Sequence, residues 1–234
     1  MNRQSDSHQN MSFLALLTGL GMVIFAVLWE LRWRRLLQTM SSRQKSTSEW
    51  VERALHDPLT SLPNRSLLND RIDQALIRSQ RNGTSISILF IDLDDFKHVN
   101  DHYGHSVGDQ LLIAAGERFK HHLRASDTAG RLGGDEFVVL LEIKSPSDPV
   151  MMVAERLRRA LHVPLLLEPA SITLSASIGV AISENGTESV HELLDSADQA
   201  LLEAKRTGKD QVVMASSLQL VESAAGHSSH MAQD

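Results

Sequence analysis

Near the middle of the chain stands the run Arg131-Leu132-Gly133-Gly134-Asp135-Glu136-Phe137. Its two successive glycines favour a tight turn, and because glycine has no Cβ they let a ligand approach the backbone closely. Two carboxylates follow at once, and the apolar run over residues 137–141 predicts a buried strand. Acids at a turn that leads into a core strand suit a hard cation, which prefers oxygen ligands. On this stretch alone, an ordinary Gly-Gly hairpin with solvated acids explains the pattern equally well.

Five further short blocks decide between these two interpretations. In chain order they are Asp57-Pro58-Leu59-Thr60-Ser61-Leu62-Pro63-Asn64-Arg65, Phe90-Ile91-Asp92-Leu93-Asp94-Asp95-Phe96-Lys97, Asn100-Asp101-His102-Tyr103-Gly104-His105 with Gly108-Asp109, Ser177-Ile178-Gly179-Val180, and Ala197-Asp198 through Ala204-Lys205 to Gly208-Lys209. On these blocks the chain resembles the GGDEF family of diguanylate cyclases over residues 57–215. Six blocks in the right order are far more specific than one pentapeptide, which alone carries a high risk of a chance match.

The hydrophobic pattern mixes helices and strands in a way typical of an α+β protein. It predicts helices over residues 65–81, 106–122, 149–161 and 190–207, with Asn64 as the N-cap of the first. It predicts strands over residues 86–93, 137–141, 172–182 and 211–214. The resemblance narrows this to the family's fold, a central and mostly antiparallel sheet flanked by helices, akin to polymerase palm and nucleotidyl cyclase domains.

An apolar segment precedes this region. Residues 11–29 carry no charged side chain, and as a helix they would be about 28 Å long, close to the thickness of a bilayer's hydrocarbon core. Trp29 and Trp33 stand where interfacial aromatics belong, and nearby arginines mark the cytoplasmic side. A signal peptide fits less well, because only Arg3 is basic before the segment and no small-residue cleavage site follows it. We therefore predict one transmembrane helix in a bacterial inner membrane, with the cyclase domain in the cytoplasm.

These signals divide the chain into five parts. They are a short outer N-terminus over 1–10, the membrane helix over 11–30, a juxtamembrane linker over 31–56, the GGDEF domain over 57–215 and a disordered tail over 216–234. The linker shows a weak heptad pattern, but the polar Gln44 and Thr47 occupy its two middle core positions. A dimer-coupling helix and a solvated tether are equally good interpretations of it.

Charge and composition exclude several classes of protein. The chain has no cysteine, so disulfides and thiolate metal sites are excluded. Residues 1–56 hold seven basic and four acidic side chains, a net charge of +3; because the whole chain carries −6, residues 57–234 carry −9. A domain that acidic is a poor candidate for the broad phosphate contacts of nucleic-acid binding. We expect no nucleic-acid partner.

The resemblance implies that two GTP molecules are joined into cyclic di-GMP with release of two pyrophosphates. Such a displacement needs an aligned nucleophile and neutralised charge, which two Mg²⁺ (or Mn²⁺) ions per active site supply. Asp92 ends a nearly continuous apolar strand, where a lone buried carboxylate is costly unless paired or metal-bound. By family correspondence Asp92 and Asp135 are metal ligands, and the carbonyl of Leu93 adds a backbone oxygen. Glu136 is either a second metal ligand or the base that accepts the hydroxyl proton; for Asp94 and Asp95 we expect helix N-cap roles.

The resemblance also assigns substrate contacts. Asn100 and Asp109 match the pair that reads guanine, because a carboxylate accepts from both the ring N–H and the exocyclic amine of that base. The remaining matches are the turn glycines, a histidine that helps to position substrate and three phosphate-contacting lysines: Gly133, Gly134, His105, Lys97, Lys205 and Lys209. Lys209 replaces the family's usual arginine, which keeps the charge but loses the bidentate fork, and Leu202 replaces its usual tyrosine.

The resemblance further implies product inhibition and a homodimer. Arg124 and Asp127 match the family's inhibitory pattern, Arg-x-x-Asp, five residues before Gly133. Without that context they would be read as an exposed ion pair worth under about 1 kcal/mol. One active site holds one GTP, so two domains must face each other. An alternative function is a catalytically silent GGDEF module that serves as a membrane-tethered receptor for GTP or cyclic di-GMP.

Overall fold

The computed structural model describes residues 29–30, 32–34, 54–143, 149–167 and 170–215. The chain divides into two compact units, Met1–Ala54 and Leu55–Asp234. In the first unit, the described residues 29–30 and 32–34 are helical and exposed. None of the helices in the described ranges is long and apolar enough to cross a membrane. The rest of the predicted membrane helix, most of the linker and the predicted disordered tail lie outside those ranges.

The second unit is built on a five-stranded sheet with flanking helices. Its strands are β1 (Ser85–Leu93), β2 (Thr128–Gly133), β3 (Glu136–Ile143), β4 (Leu165–Leu167), β5 (Ala170–Ile172), β6 (Ala176–Ser183) and β7 (Val212–Met214). Its helices are α1 (Arg65–Asn82), α2 (Phe96–Tyr103), α3 (His105–His122), α4 (Val150–Leu161) and α5 (Val190–Arg206). The strand order is β2-β3-β1-β6-β7, and β4 pairs with β5 in a separate hairpin. Only the β6–β7 pairing in the large sheet is parallel, so the predicted α+β fold with a mostly antiparallel sheet is confirmed.

The central strand β1 is covered on both faces, as its continuous apolar sequence predicts. Side chains that alternate along it enter two different cores: Leu89 and Ile91 pack with α3 and α4, whereas Ile88 and Phe90 pack with α1 and α5. The edge-to-face pair of Phe119 and Phe137, with ring centroids 5.2 Å apart, joins α3 to the strand that follows the Gly-Gly turn. Truncation of a buried phenylalanine costs about 3–5 kcal/mol, so this contact fixes the hairpin firmly on the core.

The ends of the helices follow local sequence signals. The side chain of Asn64 accepts hydrogen bonds from the backbone amides of Ser66 and Leu67 at 3.0 and 3.2 Å, which confirms it as the N-cap of α1. Ser189 and Glu192 form a reciprocal capping box at the start of α5. These caps satisfy amides that the helices leave without partners.

The single strand predicted over residues 172–182 is wrong. Residues up to Ile172 belong to the β4–β5 hairpin, and β6 begins at Ala176. Residues 173–175 between them belong to no strand, although the carbonyl of Ser175 accepts a hydrogen bond from the amide of Asp94 at 2.9 Å, one step beyond the Leu93–Ala176 pair. The predicted single strand is therefore two strands in different sheets.

Candidate active site

The acidic residues predicted to hold metal converge where β1 ends. In the strand register Asp92 of β1 stands opposite Glu136 of β3 on one side and Ser177 of β6 on the other. Residues directly opposite in an antiparallel pair put their side chains on the same face, with Cβ atoms about 4.5–5.5 Å apart. The strand pairing alone therefore places the carboxylates of Asp92 and Glu136 together.

The Gly-Gly turn brings Asp135 to the same place. Gly133 and Gly134 have φ angles of 147° and 53°, which side chains with a Cβ rarely adopt. The turn folds back so that the carbonyl of Asp135 accepts from the amide of Leu93 at 3.3 Å. Asp135 and Glu136 thus sit beside the last residues of β1, and the predicted tight turn is confirmed.

Lys205 reaches into this group from the last turn of α5. Its Nζ lies 2.8 Å from Oδ2 of Asp92, whose side chain is 11% exposed. Burial raises the pKa of Asp92 above its ordinary value; the hydrogen bond from Lys205 opposes that rise and the negative charge of Asp135 adds to it. Lys205, predicted to contact phosphate, is thus placed beside a predicted metal ligand.

The expected N-cap role of Asp94 is wrong, and that of Asp95 is confirmed in position only. The carboxylate of Asp94 accepts from the Ser177 hydroxyl at 2.7 Å and from the Asp210 amide at 3.0 Å, so it ties β6 and the turn before β7 to the loop after β1. Asp95 occupies the N-cap position of α2 in a left-handed conformation, with φ of 56°, and its side chain makes no capping bond. Its carboxylate accepts instead from Lys209 Nζ at 2.6 Å.

The two predicted guanine-reading residues are brought together by α2 and α3. A Cβ on Gly108 would lie 1.9 Å from Oδ1 of Asn100, so only glycine leaves room for that amide. Asp109 follows directly and is exposed. The close approach of Gly108 therefore places the amide of Asn100 next to the turn of α3 that carries Asp109.

The other predicted substrate contacts lie at the starts of the same two helices. Lys97 is exposed in the first turn of α2, and His105 is the exposed first residue of α3. Both therefore stand within one or two helical turns of Asn100 or Asp109. No hydrogen bond fixes either side chain among the contacts of the described residues.

One important contact was not predicted from the sequence. Arg131 donates through Nη1 to both carboxylate oxygens of Asp57 at 3.0 and 3.1 Å, and through Nε and Nη2 to the carbonyl of Gly134 at 3.0 and 2.7 Å. Partial burial alone would raise the pKa of Asp57, but hydrogen bonds from Thr60 and from Arg131 outweigh it, and the pKa is lowered. The fork of Arg131 thus fastens the Gly-Gly turn to the segment that begins the domain. Both residues stand in the quoted blocks, but no local pattern shows that they pair.

The predicted inhibitory residues form a compact turn after α3. The carboxylate of Asp127 accepts from the backbone amide of Arg124 at 3.0 Å, and the Asp127 amide donates to the Arg124 carbonyl at 3.0 Å. A second guanidinium, missed in the sequence, lies close by: Arg156 of α4 donates to the carbonyl of His122 at 2.8 Å. A cavity of about 950 Å³ is lined by His122, Arg156 and other residues of α4. This turn therefore has a cationic neighbour and an adjacent concave surface.

The carboxylates at the end of β1 suit a divalent cation bound together with a nucleotide. No group of three His, Cys, Asp or Glu side chains that would enclose a metal by itself is found in the described part of the chain. Mg²⁺, however, is held by one or two carboxylates together with substrate phosphates. Asp92, Asp135 and the carbonyl of Leu93 fit that requirement, because they lie together at the end of β1 and the side chain of Asp135 is partly exposed.

Comparison with known proteins agrees with this geometry. Residues 54–211 match the family described as "Diguanylate cyclase, GGDEF domain". The chain is 44% identical over 170 residues to MucR of Pseudomonas aeruginosa, a bifunctional diguanylate cyclase/cyclic di-GMP phosphodiesterase. The aligned region covers 73% of this chain and 25% of MucR. The chain is also 40% identical over 166 residues to the diguanylate cyclase DgcP of the same species. This aligned region covers 70% of the chain and 24% of DgcP.

A solved structure shows the same fold. The structure is that of the coiled coil and GGDEF domain of DgcB from Caulobacter crescentus in complex with c-di-GMP. It matches with a TM-score of 0.74 and 27% sequence identity, and the match covers 80% of this chain and 98% of the solved chain. The chain spans only about a quarter of the length of MucR and of DgcP, so the match concerns one domain of those proteins. The family match covers most of the second unit, and it agrees with the acidic hairpin and the strand end opposite it. The chain therefore belongs to the GGDEF family.

Proposed function

We propose that this protein is a diguanylate cyclase, which condenses two GTP molecules into cyclic di-GMP and two pyrophosphates. The observation that carries the proposal is the grouping of Asp92, Asp135 and Glu136 at one end of the sheet, with Lys205 Nζ 2.8 Å from Asp92. Carboxylates for metal and a cation for phosphate are the two components that phosphoryl transfer requires.

Guanine is read by Asn100 and Asp109. The carboxylate of Asp109 accepts from the ring N–H and the exocyclic amine, and the amide of Asn100, seated against Gly108, completes the contact. Adenine presents a ring acceptor at that position and would leave the acid facing another acceptor. Sites built on such hydrogen bonds discriminate strongly between bases.

The triphosphate lies along the lysines. Lys97, Lys205 and Lys209 contact phosphate oxygens, and the carboxylates now paired with two of them, Asp92 and Asp95, release them to the nucleotide. Two Mg²⁺ or Mn²⁺ ions, held by Asp92, Asp135, Glu136 and the carbonyl of Leu93, would lower the barrier by neutralising charge on the phosphates. The open Gly133-Gly134 turn lets the nucleotide approach the backbone, and His105 orients it from the start of α3.

The 3′-hydroxyl that attacks comes from a GTP on a second copy of the chain. One cleft holds one nucleotide, so the reaction requires a homodimer with the two clefts face to face. Glu136 accepts the hydroxyl proton or shares in holding metal, and its position opposite Asp92 in the register supports either role. Pre-alignment of the two reactants is a large part of the rate gain.

The proposal is tested by removing the carboxylates one at a time. Asp92→Asn, Asp135→Asn and Glu136→Gln should each reduce cyclic di-GMP formation by at least about a hundredfold, while circular dichroism shows an unchanged fold. Asp73→Asn, which changes an exposed carboxylate on α1, is the matched control and should keep the wild-type rate. A folded Asp135→Asn protein with wild-type turnover would overturn the assignment.

Arg124 and Asp127 are proposed to bind the product and to inhibit the enzyme. The guanidinium of Arg124 can stack on a guanine and contact phosphate, and Arg156 adds a second charge near the same turn. Arg124→Ala should keep the initial rate and lose inhibition by micromolar cyclic di-GMP. Equal inhibition of the variant and the wild type would reduce these residues to a surface turn.

Membrane anchoring by residues 11–30 also remains a proposal. The apolar length, Trp29 and Trp33, and the arginines after them support it. A reporter fused after the cyclase domain should be active only on the cytoplasmic side, with the protein in the membrane fraction of a bacterial host. Recovery of the full chain in the soluble fraction would contradict it.

A further inference from the structure

The turn that carries Lys209 has an unusual backbone. Lys209 and the next residue, Asp210, have φ angles of 61° and 46°, so two successive non-glycine residues adopt the left-handed conformation. Such residues are strained and persist only where the surrounding structure holds them. The turn therefore needs external support, and the contacts of Asp210 show where the support comes from.

The backbone amide, the carbonyl and one carboxylate oxygen of Asp210 are all engaged. Its amide donates to the buried carboxylate of Asp94 at 3.0 Å, and its carbonyl accepts from Nη1 of Arg158 at 3.1 Å. Its carboxylate accepts from the same Nη1 at 2.5 Å and contacts Nε2 of His162 at 2.8 Å. Arg158 thus binds both the backbone and the side chain of Asp210 from α4.

Arg158 is itself held rigidly. Its Nε and Nη2 pair with the two carboxylate oxygens of Glu155 at 2.9 and 2.7 Å, and its side chain is 14% exposed. One side of the guanidinium fork binds Glu155 and the other binds Asp210. A lysine has one donor group and could not make both sets of contacts, so the position depends on the planar fork.

The turn is also connected to the cleft. Asp94, which accepts from the Asp210 amide, lies between Leu93 and Asp95 in the chain, and its second oxygen accepts from Ser177. The ammonium of Lys209 lies 2.6 Å from Asp95. A displacement of Asp210 would therefore move the base of the Lys209 side chain relative to the end of β1.

We propose that Arg158, which lies on α4 and contributes no group to the catalytic cleft, is a positioning residue that acts through Asp210 to hold Lys209 against the nucleotide phosphates. The inference rests on the proposed function, because it assigns Lys209 to GTP. It adds a residue to the binding machinery that touches neither substrate nor metal. It also explains why a strained turn is found at this point of the chain.

The test measures binding rather than turnover. The full chain is titrated with the α,β-methylene analogue of GTP in the presence of Mg²⁺ by isothermal titration calorimetry. Arg158→Met should raise the dissociation constant by roughly tenfold, or about 1.4 kcal/mol. Arg159→Met is the matched control: Arg159 is the next residue on α4 and also pairs with Glu155, at 2.8 Å, but its side chain is 72% exposed. It should bind the analogue like the wild type.

A double-mutant comparison separates positioning from general stability. Lys209→Met should weaken binding by a similar factor, and Arg158→Met in the Lys209→Met background should weaken it no further, because the group that Arg158 positions has gone. Thermal melts identify any variant that is unfolded at the temperature of the titration. If Arg158→Met is unfolded, the titration uses Arg158→Lys instead, which keeps the positive charge and loses the planar guanidinium.

The outcomes distinguish this inference from the function on which it rests. A wild-type chain that does not bind the analogue overturns the proposed function. Binding by the wild type, weakened by Lys209→Met but unchanged by a folded Arg158 variant, overturns the positioning role alone. Effects of Arg158→Met and Lys209→Met that simply add would also overturn it, since independent contributions are what a purely structural residue gives.

Discussion

Lys205 and Asp92 form an ion pair, with Nζ 2.8 Å from Oδ2, at the point where metal and phosphate are both expected to bind. Each residue is proposed to contact a different partner, and in the free protein each neutralises the other. The pair must therefore exchange partners when the nucleotide and its metal arrive. Because Lys205 competes with metal for Asp92, metal and nucleotide should bind cooperatively.

Removal of the Lys205 ammonium should change the affinity for metal and the affinity for nucleotide in opposite directions. Lys205→Gln should weaken binding of the GTP analogue severalfold and should strengthen Mn²⁺ binding without nucleotide, because Asp92 loses its competing cation. Calorimetric titration with Mn²⁺ alone and with the analogue alone measures both. Arg206→Gln is the control, since its side chain is 75% exposed and pairs with Glu203. Unchanged Mn²⁺ affinity in Lys205→Gln would contradict the competition.

The contact between Asp57 and Arg131 should be important for stability. Their side chains are only 16% and 10% exposed, so Arg131→Met leaves a largely buried carboxylate and the Gly134 carbonyl without their donor. We expect a loss of about 2–4 kcal/mol in the free energy of unfolding, measured by urea denaturation. Arg78→Met breaks the more exposed pair with Glu142 and should cost less than about 1 kcal/mol. Equal losses of unfolding free energy in Arg131→Met and Arg78→Met would contradict a special role of Arg131 in stability.

The space beside Gly108 should control recognition of the base. A Cβ at this position would meet Oδ1 of Asn100 at 1.9 Å, so Gly108→Ala must displace the amide. We expect at least about a tenfold loss in affinity for the GTP analogue and a smaller preference for guanine over adenine nucleotides. Gly116→Ala lies on the same helix, where the nearest atom is Leu62 Cδ1 at 3.2 Å, and should keep nucleotide affinity. A Gly108→Ala protein with wild-type selectivity would show that Asn100 does not read the base.

The pairing of Glu155 with arginine predicts a pH dependence of stability. Hydrogen bonds from Arg158, opposed by burial and supported by Arg159, lower the pKa of Glu155 from 4.5 to about 2. The carboxylate therefore stabilises the folded chain fully above pH 4.5, and this contribution is lost as the pH falls from 4.5 towards 2. Glu155→Gln should cost about 1–2 kcal/mol at pH 7, after allowance for a side chain that is 33% exposed.

The measurement is a series of urea denaturation curves from pH 7 down to the lowest pH at which the protein stays folded. The difference between wild type and Glu155→Gln should shrink below pH 4.5. Glu203→Gln, which breaks a pair with Arg206 in which the two side chains are 44% and 75% exposed, should show almost no difference at any pH. A wild-type advantage that stays constant down to pH 3 would rule out ionised Glu155 as its source.

Much of the fold is visible in local sequence. Asn64 before a periodic segment marks a helix start, two glycines mark the turn, and the continuous apolar run of β1 marks a central strand, because each depends on neighbouring residues alone. The break between β5 and β6 is not visible in this way. It depends on pairing with residues elsewhere in the chain, since Ile172 pairs with Leu165 whereas Ala176 pairs with Leu93.

The site shows the same division. The family resemblance led to Asp92, Asp135, Glu136 and the lysines, and strand register explains why Asp92 and Glu136 converge. The sequence did not show that Asp94 and Asp95 serve β6 and Lys209 instead of capping a helix, nor that Arg131 binds Asp57. Those hydrogen-bond partners depend on the tertiary structure. The sequence around a carboxylate at the start of a helix does not indicate which donor it will bind.

The central claim is that the acids at the end of β1 and the Gly-Gly turn join two GTP molecules. The most direct test is to incubate the purified full chain with GTP and Mg²⁺ and to quantify nucleotide products and pyrophosphate by chromatography and mass spectrometry, with Asp135→Asn in parallel. Our account predicts cyclic di-GMP, two pyrophosphates for each molecule formed, and no product from the variant. GTP left intact by a folded, dimeric wild-type chain, or the same product from Asp135→Asn, would contradict it.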